Sequence, residues 1–200
     1  MGDDLLVKSL GGMAFIGLRV PHEVARLLGT VEVPGEPEST DHMHITVVNI
    51  GNDIPIEQIS KAVTAIHDVA TKMVPFRVAL DHVSSFPKND SGSPIICPVT
   101  SPELHQLEGL LKKSLDELKI DYSKKFPVFK PHVTLAYLKE GDPPKDQPLG
   151  PLEWSVYEMV LWGGDSGDER LSVTFPFALP GKTALYRHLV QAQLRLASRV

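Results

Sequence analysis

Cysteine is almost missing: Cys97 is the only one in 200 residues. A disulfide framework within the chain and a cysteine-rich zinc site are both excluded. The apolar run Pro94-Ile95-Ile96-Cys97-Pro98-Val99 around it makes Cys97 a small core residue rather than a nucleophile. Long apolar runs are missing too, since none approaches the roughly 18 residues a membrane span needs. Met1-Gly2-Asp3-Asp4 lacks the basic-then-apolar order of a signal peptide. The expectation is a cytoplasmic protein without a membrane partner. Nor is there a cationic excess, because the net charge is −5. That argues against duplex DNA as a partner and leaves room only for a local basic pocket holding a short nucleotide. The charge is uneven: residues 182–200 carry Lys182, Arg187, Arg195 and Arg199 and no acid, so setting these four cations aside leaves −9 on the rest.

What is present is ordinary for a globular domain, with 42% apolar residues. Met13–Val20 reads as a strand ended by Pro21, which opens a helix from His22 to Leu28. Val33–Thr40 is rich in turn formers. The β-branched run His44–Ile50 reads as a strand closed by Gly51-Asn52-Asp53. Ile56, Ile59, Val63, Ile66, Val69 and Ala70 recur at helical spacing. Strands follow at Phe76–Val83 and Ile95–Val99. Ser101-Pro102-Glu103 starts a helix with Leu104, Leu107, Leu111, Leu115 and Leu118 as its buried stripe. His132–Leu138 is a further strand, and residues 143–151 read as a loop. Trp154–Trp162 and Leu171–Phe177 form a hairpin, and Leu185, Leu189, Ala192 and Leu196 mark an amphipathic helix over 183–199. The domain plan is an extension (1–12), one α+β domain (13–181) and the basic helix (182–200). That helix either packs back on the acidic body or serves self-association.

Two short motifs carry the chemistry. His44-Ile45-Thr46 and His132-Val133-Thr134 lie on strands, where residues two apart share a face. Each therefore offers an imidazole beside a hydroxyl. A histidine with an ordinary pKa near 6.5 can take or give a proton at neutral pH. Two of them, on opposite sides of one phosphate, can do both. The threonine hydroxyls can donate to the non-bridging oxygens, where charge builds up. The order of elements, strand with His-x-Thr then helix, followed later by helix then His-x-Thr strand, predicts two related lobes around a shared cleft.

The text around the motifs resembles the 2H phosphoesterase superfamily, the LigT-like or 2′-5′ RNA ligase-like proteins. Phe15-Ile16-Gly17-Leu18-Arg19-Val20-Pro21 is similar to its opening strand. His42-Met43-His44-Ile45-Thr46-Val47-Val48 is similar to its first motif, and Phe129-Lys130-Pro131-His132-Val133-Thr134-Leu135-Ala136 to its second. The resemblance runs over roughly residues 13–178. It implies a bilobal α+β fold of two pseudo-symmetric antiparallel-sheet lobes with outer helices and a central cleft. It also implies metal-free, cofactor-free cleavage of a nucleotide or RNA phosphodiester, with a 2′,3′-cyclic phosphate, a 2′-5′ linkage or a cyclic oligonucleotide as substrate. Where that family often has a stacking aromatic after the first motif, this chain has Asn49. Where it often has arginine after the second, this chain has Tyr137. Strict strand alternation turns both away from the histidines, so a role in the cleft requires a bulge or a strand end.

Among the remaining candidates, Phe86 is open between a core position and a base-stacking one, and His82 ends the same strand. Lys130 shares parity with His132, so it either offsets phosphate charge or faces solvent. Two rival readings remain. One is a nucleotide-binding or structural module on the same fold without turnover. The other is a metallohydrolase built on the His-x-His pair His42 and His44.

Overall fold

The computed structural model describes residues 9–164 and 171–178. The helix expected over 183–199 lies outside them. In chain order the elements are β1 (Ser9–Arg19), α1 (His22–Gly29), β2 (Glu36–Pro37), a 3₁₀ turn (Thr40–His42), β3 (His44–Pro55), α2 (Ile56–Ala70), β4 (Phe76–Ser85) and β5 (Ser93–Pro98). They continue with α3 (Pro102–Glu117), β6 (His132–Leu138), β7 (Gln147–Val156), β8 (Glu158–Gly163) and β9 (Leu171–Pro176). Two antiparallel sheets result, in the orders β3-β1-β8-β9 and β2-β6-β5-β4-β7. Leaving aside the two-residue β2, the sheets match strand for strand. A His-x-Thr strand stands at one end of each series, joined to its inner neighbour through a helix, α1 in one lobe and α3 in the other.

The helices follow from where their apolar residues fall. In α2, Ile59, Ala62, Ala65, Ile66, Val69 and Ala70 are buried. That stripe packs on α3 and on the first sheet. In α3, Leu104, Leu107, Leu111 and Leu115 have no exposed surface, each worth about 1.5–3 kcal/mol of burial. Ser101 stands at its N-cap, but its hydroxyl donates to Glu103 Oε2 at 2.7 Å and caps no backbone N–H. One continuous core runs from Ile16, Ile45 and Met159 through α2 and α3 to Leu80, Cys97 and Val133, so both lobes share it.

Several sequence expectations need correction. Leu118 is not part of the buried stripe: it lies beyond the last turn of α3 and is 37% exposed. The loop expected through 151 ends earlier, because Gln147–Val156 pairs along β4 despite its prolines. Trp154–Trp162 is not one strand. Residues through Val156 belong to the second sheet, those from Glu158 to the first, and exposed Tyr157 is the crossing point. β1 starts at Ser9 rather than Met13, and β3 continues to Pro55 through Gly51-Asn52-Asp53. Part of the 33–40 segment, Glu36–Pro37, pairs on the edge of β6.

Candidate active site

The first and second motifs lie on β3 and β6, and these strands contact one another across the two lobes. The burial sequence along them is the same. His44 and Thr46 are half-buried while Ile45, Val47 and Val48 are buried. His132 and Thr134 are half-buried while Val133, Leu135 and Ala136 are buried. Two consecutive buried residues break strict alternation, and the register gives the reason. Gly17 faces Thr46 and Ile16 faces Val48, so Val47 is an extra residue. Ile96 faces Thr134 and Ile95 faces Ala136, so Leu135 is extra in the same way. Each motif strand thus carries a bulge three positions after its histidine. A bulge moves the following residues onto the other face. Asn49 and Tyr137 are thereby turned to the side of the histidines, where straight strands would have directed them away.

Each histidine is fixed by the carbonyl two residues before it. His44 Nδ1 lies 2.6 Å from the His42 oxygen, and His132 Nδ1 lies 2.7 Å from the Lys130 oxygen. A carbonyl only accepts, so Nδ1 carries the hydrogen in both rings and Nε2 holds the lone pair when the ring is neutral. The same tautomer and the same kind of anchor thus recur in both lobes. Burial pushes the His132 imidazole below its ordinary pKa; the Lys130 carbonyl opposes this, and the charge of a protonated His44 lowers it further. The charge on one ring therefore bears on the titration of the other.

Aromatic rings back both imidazoles. Phe86 meets the His132 ring edge-on at 4.7 Å between centroids. Phe15 lies 4.8 Å and Trp162 5.6 Å from the His44 ring, and Phe15 stacks on Trp162 at 5.1 Å. Gly17 makes this possible. A Cβ there would stand 2.6 Å from the Ile45 carbonyl oxygen and 3.1 Å from the Trp162 ring. Arg19 pairs with His44 across β1 and β3, and its guanidinium sits over the Trp162 ring at 5.3 Å. Burial raises the Glu158 carboxyl above its usual range, and the charge of Arg19 works against that.

The other sequence candidates divide. Tyr137 joins the site: burial, then the charge of Glu38, raises its phenol, while a hydrogen bond from the Thr134 hydroxyl lowers it. Asn49 holds Met13 Sδ through Nδ2 at 3.5 Å, and its buried Oδ1 has no partner among the described residues. Lys130 is exposed, and what it brings to the site is its carbonyl. His82 bonds its neighbour Asp81 at 2.6 Å and takes no part. His42 is exposed and stands 3.9 Å from Glu38. No three His, Cys, Asp or Glu side chains come together among the described residues. His44 Nδ1 is held by the His42 carbonyl, and among the described residues the His-x-His pair has no third ligand of the kind a zinc site needs. A hollow of about 440 Å³ beside α1, lined by Arg26, Leu27 and Thr40 among others, includes neither motif.

Three site residues escaped sequence reasoning: Phe15, Arg19 and Trp162. The alternation Phe15-x-Gly17-x-Arg19 was visible, but only the β1–β3 and β1–β8 registers place it beside His44.

Residues 21–168 match the family model described as the 2′-5′ RNA ligase superfamily, a span that takes in both motifs. A comparison with curated protein sequences found no match. Among solved structures, TT0787 of Thermus thermophilus has a TM-score of 0.69 at 23% identity, covering 82% of this chain and 97% of that one. The E. coli LigT complex with 3′-AMP has a TM-score of 0.61 at 16% identity, over 84% and 99%. The LigT complex with ATP has 0.59 at 18%, over 84% and 95%. These likenesses bear on the fold, while the family match rests on the sequence that carries the motifs. With its paired sheets and twin His-x-Thr strands, this chain belongs to the 2′-5′ RNA ligase superfamily of LigT-like 2H phosphoesterases.

Proposed function

We propose that this protein cleaves a phosphodiester of a nucleotide or RNA by general acid–base catalysis, with His44 and His132 as the two proton-transfer groups and without a metal. The observation that carries the reading is the repeated device: two histidines with Nδ1 anchored on a carbonyl, each at the start of a bulged strand, on two strands in contact with one another. Where the substrate has a free hydroxyl next to the linkage (the 2′-OH, or the 3′-OH of a 2′-5′-linked one), the base takes its proton as that oxygen attacks the adjacent phosphorus. The acid gives a proton to the departing 5′-oxygen, and a 2′,3′-cyclic phosphate results. Where the substrate is already cyclic, water is the attacking group and a ring oxygen receives the proton. One histidine acts as the base and the other as the acid, and the two roles exchange when the direction reverses. Thr46 and Thr134 donate to the non-bridging oxygens. Arg19, one strand away from His44, supplies the cation that this chain lacks at Tyr137. That structures of LigT are complexes with 3′-AMP and ATP supports a nucleotide substrate.

The test is a screen of nucleoside 2′,3′-cyclic phosphates, 2′-5′-linked dinucleotides and cyclic oligonucleotides with the purified protein in excess chelator. Turnover is expected on one class. His44→Ala and His132→Ala should each lower it by on the order of 10²-fold or more. A variant that keeps its rate on a poor leaving group would remove that histidine from the mechanism. Activity lost in chelator and restored by zinc would replace the reading with a metallohydrolase.

A further inference from the structure

The segment between α3 and β6 serves the fold at its ends but not in its middle. Ile120 is buried, Tyr122 packs half-buried against the core, and Phe129 does the same at the other end. Between them the chain turns Phe126 and Val128 outward, 70% and 66% exposed. Single exposed apolar residues are common, but these two flank Pro127 and form one patch with no cover among the described residues. The same stretch is cationic: Lys124, Lys125 and Lys130 are exposed, against one acid, Asp121. The cations lie beside rings, with Lys125 Nζ at 5.6 Å from the Phe126 ring and Lys124 Nζ at 5.4 Å from that of Tyr122. On a chain of net −5 this concentration of positive charge stands out.

Its position links it to the reaction. The Ser123 N–H donates to the Asn49 carbonyl at 2.8 Å, tying one end to the strand of the first motif. At the other end the Pro131 carbonyl accepts from the Val99 N–H at 2.9 Å, and the Lys130 carbonyl holds His132. The segment thus runs from one motif strand to the other. Phe126 is six residues from His132, at most about 21 Å of extended chain. Pro127 and Pro131 restrict its backbone, which lowers the entropy lost on binding.

We propose that residues 124–128 form a binding platform for single-stranded nucleic acid, where a base stacks on Phe126 and flanking phosphates are neutralised by Lys124 and Lys125, so that the strand leading away from the scissile phosphate is held a few nucleotides from the histidines. Alternating rings and cations suit this ligand, since every base has a face to stack and every linkage a negative charge. The proposal rests on the phosphoesterase reading for its choice of ligand. It extends that reading from the reacting phosphate to the polymer around it.

The test uses the full chain and a fluorescein-labelled single-stranded oligodeoxynucleotide of about ten residues, long enough to span the stacking platform and free of the 2′-OH needed for cleavage. Anisotropy is titrated across a salt series. Salt-dependent binding is expected, weakened about tenfold by Phe126→Ala with little change in salt slope. Lys124→Gln/Lys125→Gln should flatten the slope of log affinity against log salt by about 1.4, or 0.7 per lost phosphate contact. All three residues are exposed, so the variants should fold and keep the parent's rate on a nucleoside 2′,3′-cyclic phosphate. No binding by the parent, or full affinity in Phe126→Ala, overturns the platform. The latter outcome would leave the patch to a protein partner. Failure of the catalytic reading is separate, as it shows as no turnover of any substrate whatever the anisotropy gives.

Discussion

Gly17→Ala adds one methyl group to β1 where that strand pairs with Thr46 of β3. That carbon would stand 2.6 Å from the Ile45 carbonyl oxygen, whereas ordinary contact begins near 3.4 Å, so about 0.8 Å of retreat is required. The oxygen belongs to the backbone of β3, between His44 and Thr46, and cannot swing aside as a side-chain tip would. The Trp162 ring, at 3.1 Å, must also give by about 0.3 Å to reach that spacing. Overpacking of this kind costs about 1–3 kcal/mol. Because the displaced strand carries His44, a proton-transfer group in the proposed reaction, and about 1 Å of misplacement can cost on the order of 10²-fold, turnover should fall by roughly tenfold to a hundredfold. Gly109→Ala is the matched control. It lies on the exposed side of α3 with nothing within 4 Å of the added carbon. Relief of glycine's entropy there should stabilise the protein by about 0.5–1 kcal/mol with an unchanged rate. Urea unfolding, steady-state rates and tryptophan fluorescence are the measurements. A Gly17→Ala protein with parental stability, emission and rate would refute the claim that this contact sets the position of His44.

His132 should titrate below free histidine by NMR, and His44→Gln should move it upward by removing the neighbouring charge; an unmoved titration would separate the two rings. The unfolded chain binds a proton to this group at a higher pH than the folded one. The neutral ring's contribution to stability is therefore full above the unfolded pKa near 6.5 and shrinks as pH falls from there to the depressed folded value. His132→Gln should flatten stability against pH in that window, and a dependence unchanged from the parent would refute the assignment. Arg19→Met should raise KM for the phosphate substrate by roughly tenfold with a smaller change in kcat, as expected for a charge-assisted contact, and Arg19→Lys should recover part of it; equal KM in all three would remove Arg19 from the site. Burial raises the Cys97 thiol to about 12, so alkylation at pH 8 should be slow in the folded protein and fast in denaturant. Rapid labelling of the folded form would contradict that burial.

Local pattern carried much of this molecule. A strand's period of two was enough to pair His44 with Thr46 and His132 with Thr134, because i and i+2 share a face whatever the strand is bonded to. The leucine stripe of α3 was equally local up to Leu115; it failed at Leu118, where the helix ends and periodicity no longer governs direction. His132–Leu138 was bounded by Pro131 and by polar residues, and its limits were legible for that reason. What the linear order could not supply was pairing. The division of Trp154–Trp162 between two sheets at Tyr157 depends on which neighbours offer free hydrogen-bonding edges, and no local propensity records that. The bulges at Val47 and Leu135 are likewise properties of a register between two strands, and they decide that Asn49 and Tyr137 face the histidines. Arg19 and Trp162 are far apart in sequence and come together beside His44 only because β1 lies between β3 and β8. The two His-x-Thr pairs were written in residue type and spacing; their surroundings were decided by the hydrogen-bonded contacts between distant strands.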